Sequence, residues 1–145
     1  MRLRLTATLT ATLIGTLQVS AVLAVPAPRD VVRSMFDAFN RHDAAAMAAL
    51  YADDARLSSP DFCGLRGKND VERTYNDLFK LFPDIRDDVD TMIAAGGRVA
   101  VRFTARSSAG SEPLTLRIMT FLTVRDGRIT EDDSLFDTKG RPCSP

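Results

Sequence analysis

Hydrophobic positions recur at helical spacing through the first half of the chain and then, from Ile85 onward, at every second residue, so a helical half precedes a strand half. Val32, Met35, Phe36 and Phe39 form one stripe behind Pro28-Arg29-Asp30, which predicts an amphipathic helix over Arg29–Arg41. Asp43 predicts the cap of a second helix, Ala44–Tyr51, burying Ala46, Met47 and Leu50 and ended by Asp53-Asp54. A short strand, Ala55–Ser59, stops at Pro60. A third helix follows, with Asn69 and Glu72 as a capping box, Val71, Tyr75, Leu78, Phe79 and Phe82 as its stripe, and Pro83 as its end. Gly96-Gly97, Ala109-Gly110 and Asp126-Gly127 then separate four strands, about Asp84–Ala94, Arg98–Ser107, Pro113–Arg125 and Arg128–Asp137, an antiparallel meander. Helices gathered on one side of a curled antiparallel sheet make an α+β fold.

The opening stretch obeys neither period. Arg2 and Arg4 are followed by an uncharged run, Leu5–Ala24, that ends in Val22-Leu23-Ala24, the small-x-small pattern of a cleavage site. Met1–Ala24 therefore reads as a signal peptide, and the expected destination is secreted or periplasmic. An uncleaved anchor is the alternative, since about 20 apolar residues can span a bilayer. Once the leader is removed, no stable membrane insertion is expected. About 120 residues remain, enough for one core and one domain.

Charge excludes one class of partner. The whole 145-residue chain balances 19 Lys and Arg against 19 Asp and Glu, and losing the two leader Arg leaves the rest slightly acidic, with no basic face for nucleic acid. Cys63 and Cys143 are the two cysteines, and in an oxidising compartment they are expected to pair. A loop of about 80 residues closed this way stabilises the fold by roughly 4 kcal/mol. Two free, buried thiols are the alternative. One His and two distant Cys supply no tetrahedral set, so no metal site is expected.

Candidate chemistry by residue type alone is sparse. His42 lies in a turn between helices and reads as solvated. Asp84, Asp87, Asp88 and Asp90 lack the spacing of a calcium loop and read as an exposed strand edge. Ser107, Ser108 and Ser111 surround a turn without a nucleophile elbow. Along the middle strands, Val99, Val101 and Phe103 alternate with Ala100, Arg102 and Thr104, and Leu114, Leu116, Ile118 and Leu122 alternate with Thr115, Arg117 and Thr123. Pattern alone buries the aliphatic set and leaves the Arg in solvent.

Four stretches, Val31-Val32-Arg33-Ser34-Met35-Phe36-Asp37-Ala38-Phe39-Asn40, Ala49-Leu50-Tyr51-Ala52-Asp53-Asp54-Ala55, Gly96-Gly97-Arg98-Val99-Ala100-Val101-Arg102-Phe103 and Phe121-Leu122-Thr123-Val124-Arg125-Asp126-Gly127-Arg128-Ile129, carry a resemblance. They are similar to the SnoaL-like polyketide cyclase group of the nuclear transport factor two-like superfamily, which also holds ketosteroid isomerase and limonene epoxide hydrolase. The resemblance implies a cystatin-like cone, a curled antiparallel sheet covered by three N-terminal helices, spanning Arg29–Gly140. It implies a pocket for a small hydrophobic ligand, no cofactor, and a homodimer formed through the convex sheet face. This scaffold hosts isomerases, cyclases, hydrolases and non-catalytic proteins, so fold does not settle function.

A gapless match to ketosteroid isomerase turns Arg102, Thr104 and Arg106, then Arg117, Met119 and Phe121, then Asp132, Ser134 and Phe136, toward the pocket, with Ser59 at the end of the first strand. Under that match the aliphatic face becomes the convex one, the reverse of what pattern alone indicates. The isomerase's base position falls on Ser59, its Tyr on Met35 and its acidic donor on Met119, so that mechanism is excluded. An epoxide hydrolase arrangement would keep Arg117 and Asp132 and lose its second acid to Met119. The cyclases' Glu-His-Trp-Asp becomes Glu131-Asp132-Asp133-Ser134, leaving Asp132 as the pocket carboxylate. The resemblance thus implies Asp132 as general acid or base, with Arg102 or Arg117 stabilising negative charge, and Ser59, Thr104, Met119, Phe121, Ser134, Phe136 and Met35 contacting ligand. Two functions compete: a cofactor-free isomerase or cyclase moving a proton on a small hydrophobic carbonyl compound, and a non-catalytic small-molecule-binding or protein-interaction module.

Overall fold

Residues 24–109 and 113–144 are described by a computed structural model. The leader expected over 1–24, apart from Ala24, and the turn at Gly110 lie outside the described residues. Helix α1 (Pro28–Asn40) has Pro in its first turn and buries Val31, Val32, Met35, Phe36, Ala38 and Phe39. Asp43 caps α2 (Ala44–Ala49) as expected, its carboxylate accepting the Ala46 N–H at 2.9 Å. The helix then ends two residues earlier than its pattern suggests, because Tyr51 opens strand β1 (Tyr51–Ser58). Pairing across the chain overrides the local helical pattern here: Tyr51 pairs with Ile129, and the Ile129 N–H donates to Leu50 O at 2.9 Å. Asp53 and Asp54 accordingly lie within the strand, where its register shifts, instead of terminating a helix.

Helix α3 (Lys68–Leu81) starts one residue before Asn69, so the expected Asn69–Glu72 box does not form. Asp70 does the capping instead, accepting the Gly67 N–H at 3.1 Å. Its end before Pro83 follows the sequence signal.

Strands β2 (Arg86–Ala95), β3 (Arg98–Ser107), β4 (Leu114–Arg125) and β5 (Arg128–Leu135) form the antiparallel meander. At the turn between β4 and β5, Asp126 and Gly127 both take positive φ, 49° and 73°, a conformation favoured in two-residue hairpin loops. Strand β1 adds to β5 in parallel, giving the order β1-β5-β4-β3-β2 with open edges at β1 and β2. The sheet is therefore mixed at one edge. Helix α1 touches all four strands of the meander, so the sheet curls around it, and Phe36 meets Phe103 edge to face at 4.9 Å.

His42 is not a solvated turn residue. It is half-buried, stacked on Phe79 at 4.4 Å, with Nε2 2.8 Å from Ile85 O, and so pins the turn between α1 and α2 to the start of the strand half. Cys63 and Cys143 are bonded, with Cα atoms 4.9 Å apart across a sequence separation of 80. The tail is held alongside: Cys63 N–H donates to Ser144 O at 2.9 Å and Ser144 N–H to Asp61 O at 2.6 Å.

Candidate functional site

The sheet's inner face decides what a pocket can contain. On β3 and β4 that face carries Val99, Val101 and Phe103, then Ile118, Thr120 and Leu122, because these side chains bury the most apolar surface against α1. Arg102 and Arg117 therefore point outward, a correction to the orientation implied by the gapless family match. Arg102 is half exposed, donates to Thr91 Oγ1 at 3.3 Å and pairs with Asp90 at 3.6 Å. Met119 and Phe121 stand about half exposed on the same outer face, and Thr104, though buried, belongs to its Asp88–Thr104–Arg117 row. The match is out by one residue across β3 and β4, and plain alternation gives the observed faces. It follows that the convex face is not the aliphatic one.

Strand β5 behaves differently, because a bulge intervenes. Val124 pairs with Ile129 and Thr123 with Glu131, leaving Thr130 as the extra residue. Strict alternation from buried Ile129 would send Asp132 outward; the bulge turns it in, beside Leu57 and Leu122. Ser134 follows on the same side.

Above this face, between α3, the end of β1 and the tail, lies a pocket of about 550 Å³. Asp132, Ser134, Phe136 and Ser59 line it, with Tyr75, Asp87, Phe103 and Ile118. A smaller inner cavity of about 30 Å³ shares Tyr75, Asp87, Asp132 and Ser134 and reaches Met35 and Thr120. Thus Asp132, Ser59, Ser134, Phe136 and Met35 border the cavities, whereas Arg102, Arg117, Thr104, Met119 and Phe121 line neither of them.

Asp132 is 7% exposed and anchored on both oxygens. Tyr51 Oη donates to Oδ2 at 2.7 Å and Thr120 Oγ1 to Oδ1 at 2.8 Å. Tyr51 also lies 3.3 Å from Met35 Sδ, but a hydroxyl has one proton, and the carboxylate is the stronger acceptor. Burial pushes the Asp132 carboxyl above its ordinary range, and neighbouring Asp133 adds to this, against the hydrogen bonds from Tyr51 and Thr120 that favour the charge. Burial and the Asp132 charge raise the Tyr51 phenol as well, so the proton stays on the tyrosine.

Asp87 is the second buried acid, which reading β2 as an exposed edge missed. Asp88 and Asp90 do face solvent, where Arg106 and Arg102 pair with them at 3.0 and 3.6 Å, and Asp84 caps the turn at Ser107 and Ser108. Asp87 alone of these turns inward, 8% exposed, and burial pushes its carboxyl up to about 7, with Asp88 adding repulsion. Its backbone is fixed by Asn40, whose Nδ2 donates to Asp87 O at 3.0 Å and whose Oδ1 accepts the Asp87 N–H at 2.8 Å. Tyr75 borders the same space; burial raises its phenol, and both acids add to the effect, so its hydroxyl keeps its proton. Only the period-two phase of β2, Asp87 in step with Ile85, could have signalled this from sequence.

The family model described as SnoaL-like domain matches residues 32–132. Among solved structures, the chain is similar to wild-type IdmH, a putative polyketide cyclase from Streptomyces antibioticus, with 26% identity, a TM-score of 0.70, and 77% of this chain and 93% of that one covered. An NTF2-like protein from Cytophaga hutchinsonii shares 21% identity at a TM-score of 0.62 over 78% of this chain and 92% of that one. TerC, co-crystallised with polyporic acid, shares 20% at a TM-score of 0.68 over 78% of this chain and 94% of that one. At those identities the last two show the fold alone. No match is found among curated protein sequences. With about seven tenths of its length matched by the family model, the chain belongs to the SnoaL-like domain family.

Proposed function

We propose that this chain is an exported, cofactor-free isomerase or cyclase that moves a proton on a small hydrophobic carbonyl compound, with Asp132 as the base. The observation that carries this is a desolvated carboxylate bordering an apolar pocket, held in place by Tyr51 and Thr120 and raised by burial, which makes it a stronger base than a solvated Asp. Asp132 takes the proton from the carbon next to the ligand carbonyl, and the C–H electron pair passes into the enolate. Returning the proton at another carbon completes an isomerisation. Attack of the enolate carbon on a second carbonyl of the same ligand, whose oxygen then takes the proton, closes a ring. Negative charge on the oxygen meets the Tyr75 hydroxyl, which lines the pocket, whereas Arg102 and Arg117 lie on the other face. The likeness to a putative polyketide cyclase supports the reading.

Export is part of the proposal, supported by the apolar opening stretch and by the Cys63–Cys143 bond, which suits an oxidising compartment. Among the described residues no helix is long and apolar enough to cross a membrane. A homodimer would cover Ile93, Met119, Phe121 and Leu135, all exposed on the outer side.

One observation favours the non-catalytic reading: both Asp132 oxygens already have partners, as in a buried structural acid. Hydrogen exchange distinguishes the two. The protein is incubated with β-tetralone in heavy water, and loss of the α-proton signal is followed by NMR. Wild type accelerates exchange over buffer and Asp132→Asn returns it to background with ligand affinity retained. Exchange unaffected by Asp132→Asn contradicts the assignment.

A further inference from the structure

Of the two buried acids lining the pocket, one has its hydrogen bonds filled and the other does not. Asp87 Oδ1 is buried and has no partner among the described residues. The side chain is 8% exposed and lies on the inner side of β2, opposite Ala105, at the wall of the 550 Å³ pocket. Neighbouring acids on the strand are served by Arg106 and Arg102 on the outer face, and among the described residues no ion pair is made to Asp87. The Asn40 clamp on its backbone keeps the residue from turning toward those cations. Leaving a buried oxygen without a hydrogen bond is costly, and more so when it is charged, so an acid fixed in this way is left short of a donor. A ligand entering the pocket can supply the missing donor.

We propose that Asp87 accepts a hydrogen bond from the ligand, so that the pocket selects a hydrophobic compound bearing a hydroxyl or amine. This deepens the reading above, on which it rests for the pocket being the ligand site: the hydrophobic carbonyl compound is one that carries a donor group. The ligand's apolar body lies along Phe39, Phe103 and Ile118, its carbonyl end meets Asp132 and Tyr75, and its donor meets Asp87. The two acids thus divide the work, Asp132 for the proton and Asp87 for recognition.

The test is calorimetric binding of three bicyclic probes of one shape at about pH 8, where Asp87 is ionised. Tetralin has no donor, β-tetralol a neutral donor, and β-aminotetralin a cationic one. Wild type binds at least one donor probe about tenfold or more tightly than tetralin, and the tighter of the two identifies the class. Asp87→Leu removes the preference. Asp87→Asn, which keeps a carbonyl but no charge, retains preference for the alcohol and loses it for the amine. Asp132→Asn leaves the preference intact. If Asp87→Leu does not fold, as judged by thermal melting, the Asp87 carboxyl carbon resonance of the wild type is followed instead; it moves with the donor probes and stays with tetralin. Equal binding of all three probes, or a preference that survives Asp87→Leu, overturns the role of Asp87 while leaving the pocket as the ligand site. No binding by any probe overturns the pocket reading and this inference with it.

Discussion

The two faces of one sheet treat the same residue type in opposite ways. On the outer face Asp88 and Asp90 sit in water beside Arg106 and Arg102, at 3.0 and 3.6 Å, where such pairs contribute little because solvent already satisfies both charges. On the inner face Asp87 and Asp132 are desolvated and, among the described residues, pair with no cation, so their protons become hard to remove. These four aspartates thus divide into a solvated rim and a desolvated interior. Ionisation follows the face, and Arg102 and Arg117, the arginines that look most catalytic by type, are on the solvated one.

The contrast can be broken most severely through packing. Phe103, buried on the inner face of β3, should cost about 3 kcal/mol or more when cut to Ala, by urea denaturation, while Arg117→Ala on the facing outer row shifts stability by no more than about 0.5 kcal/mol. Comparable costs for the two would contradict the assignment of faces.

The buried Asp87 carboxyl makes stability depend on pH. An Asp in the unfolded chain releases its proton near 3.8 and folded Asp87 near 7, so between those values the native state holds a proton that the unfolded state lacks. Its contribution is fully present below about pH 4 and is lost as pH rises to about 7, by up to about 4 kcal/mol. Wild type should accordingly lose stability between about pH 5 and pH 8, and Asp87→Asn should lose less over the same range. Identical pH profiles would show Asp87 to be solvated.

A smaller effect comes from Tyr51→Phe, which removes one hydrogen bond from the Asp132 carboxylate. It should cost about 1–2 kcal/mol and move Asp132 ionisation to still higher pH, since the lost bond favoured the charged form. The pH profile separates this from mere loss of packing. Smallest of all, Arg102→Ala should leave β-tetralone exchange at the wild-type rate, because its side chain lies across the sheet from the pocket.

Much of this was legible before the structure. Period and turn residues located the three helices and four of the strands, and the alternation of Val99, Val101 and Phe103 against Arg102 marked the buried face correctly. The family match, laid on without gaps, reversed that face, since one residue of slip in a strand exchanges inside for outside. On β5 the bulge at Thr130 makes alternation from Ile129 point the wrong way, and no local signal announces it. Tyr51 reads as the last turn of a helix until its parallel pairing with Ile129 is known, and that contact is too distant in sequence for periodicity to report. Asp87 is hidden for the opposite reason: an acid among acids on an edge strand looks solvated, and what buries it is the neighbouring helices, α1 with its Asn40 clamp and α3 across the pocket.

Titration of the aspartate side-chain carboxyl carbons by NMR tests the central distinction most directly. Asp87 should ionise near 7 and Asp132 above the ordinary aspartate range, with Asp84 well below it, held by Ser107 and Ser108. Asp87 and Asp132 both titrating with the solvated aspartates, near 4, would contradict it.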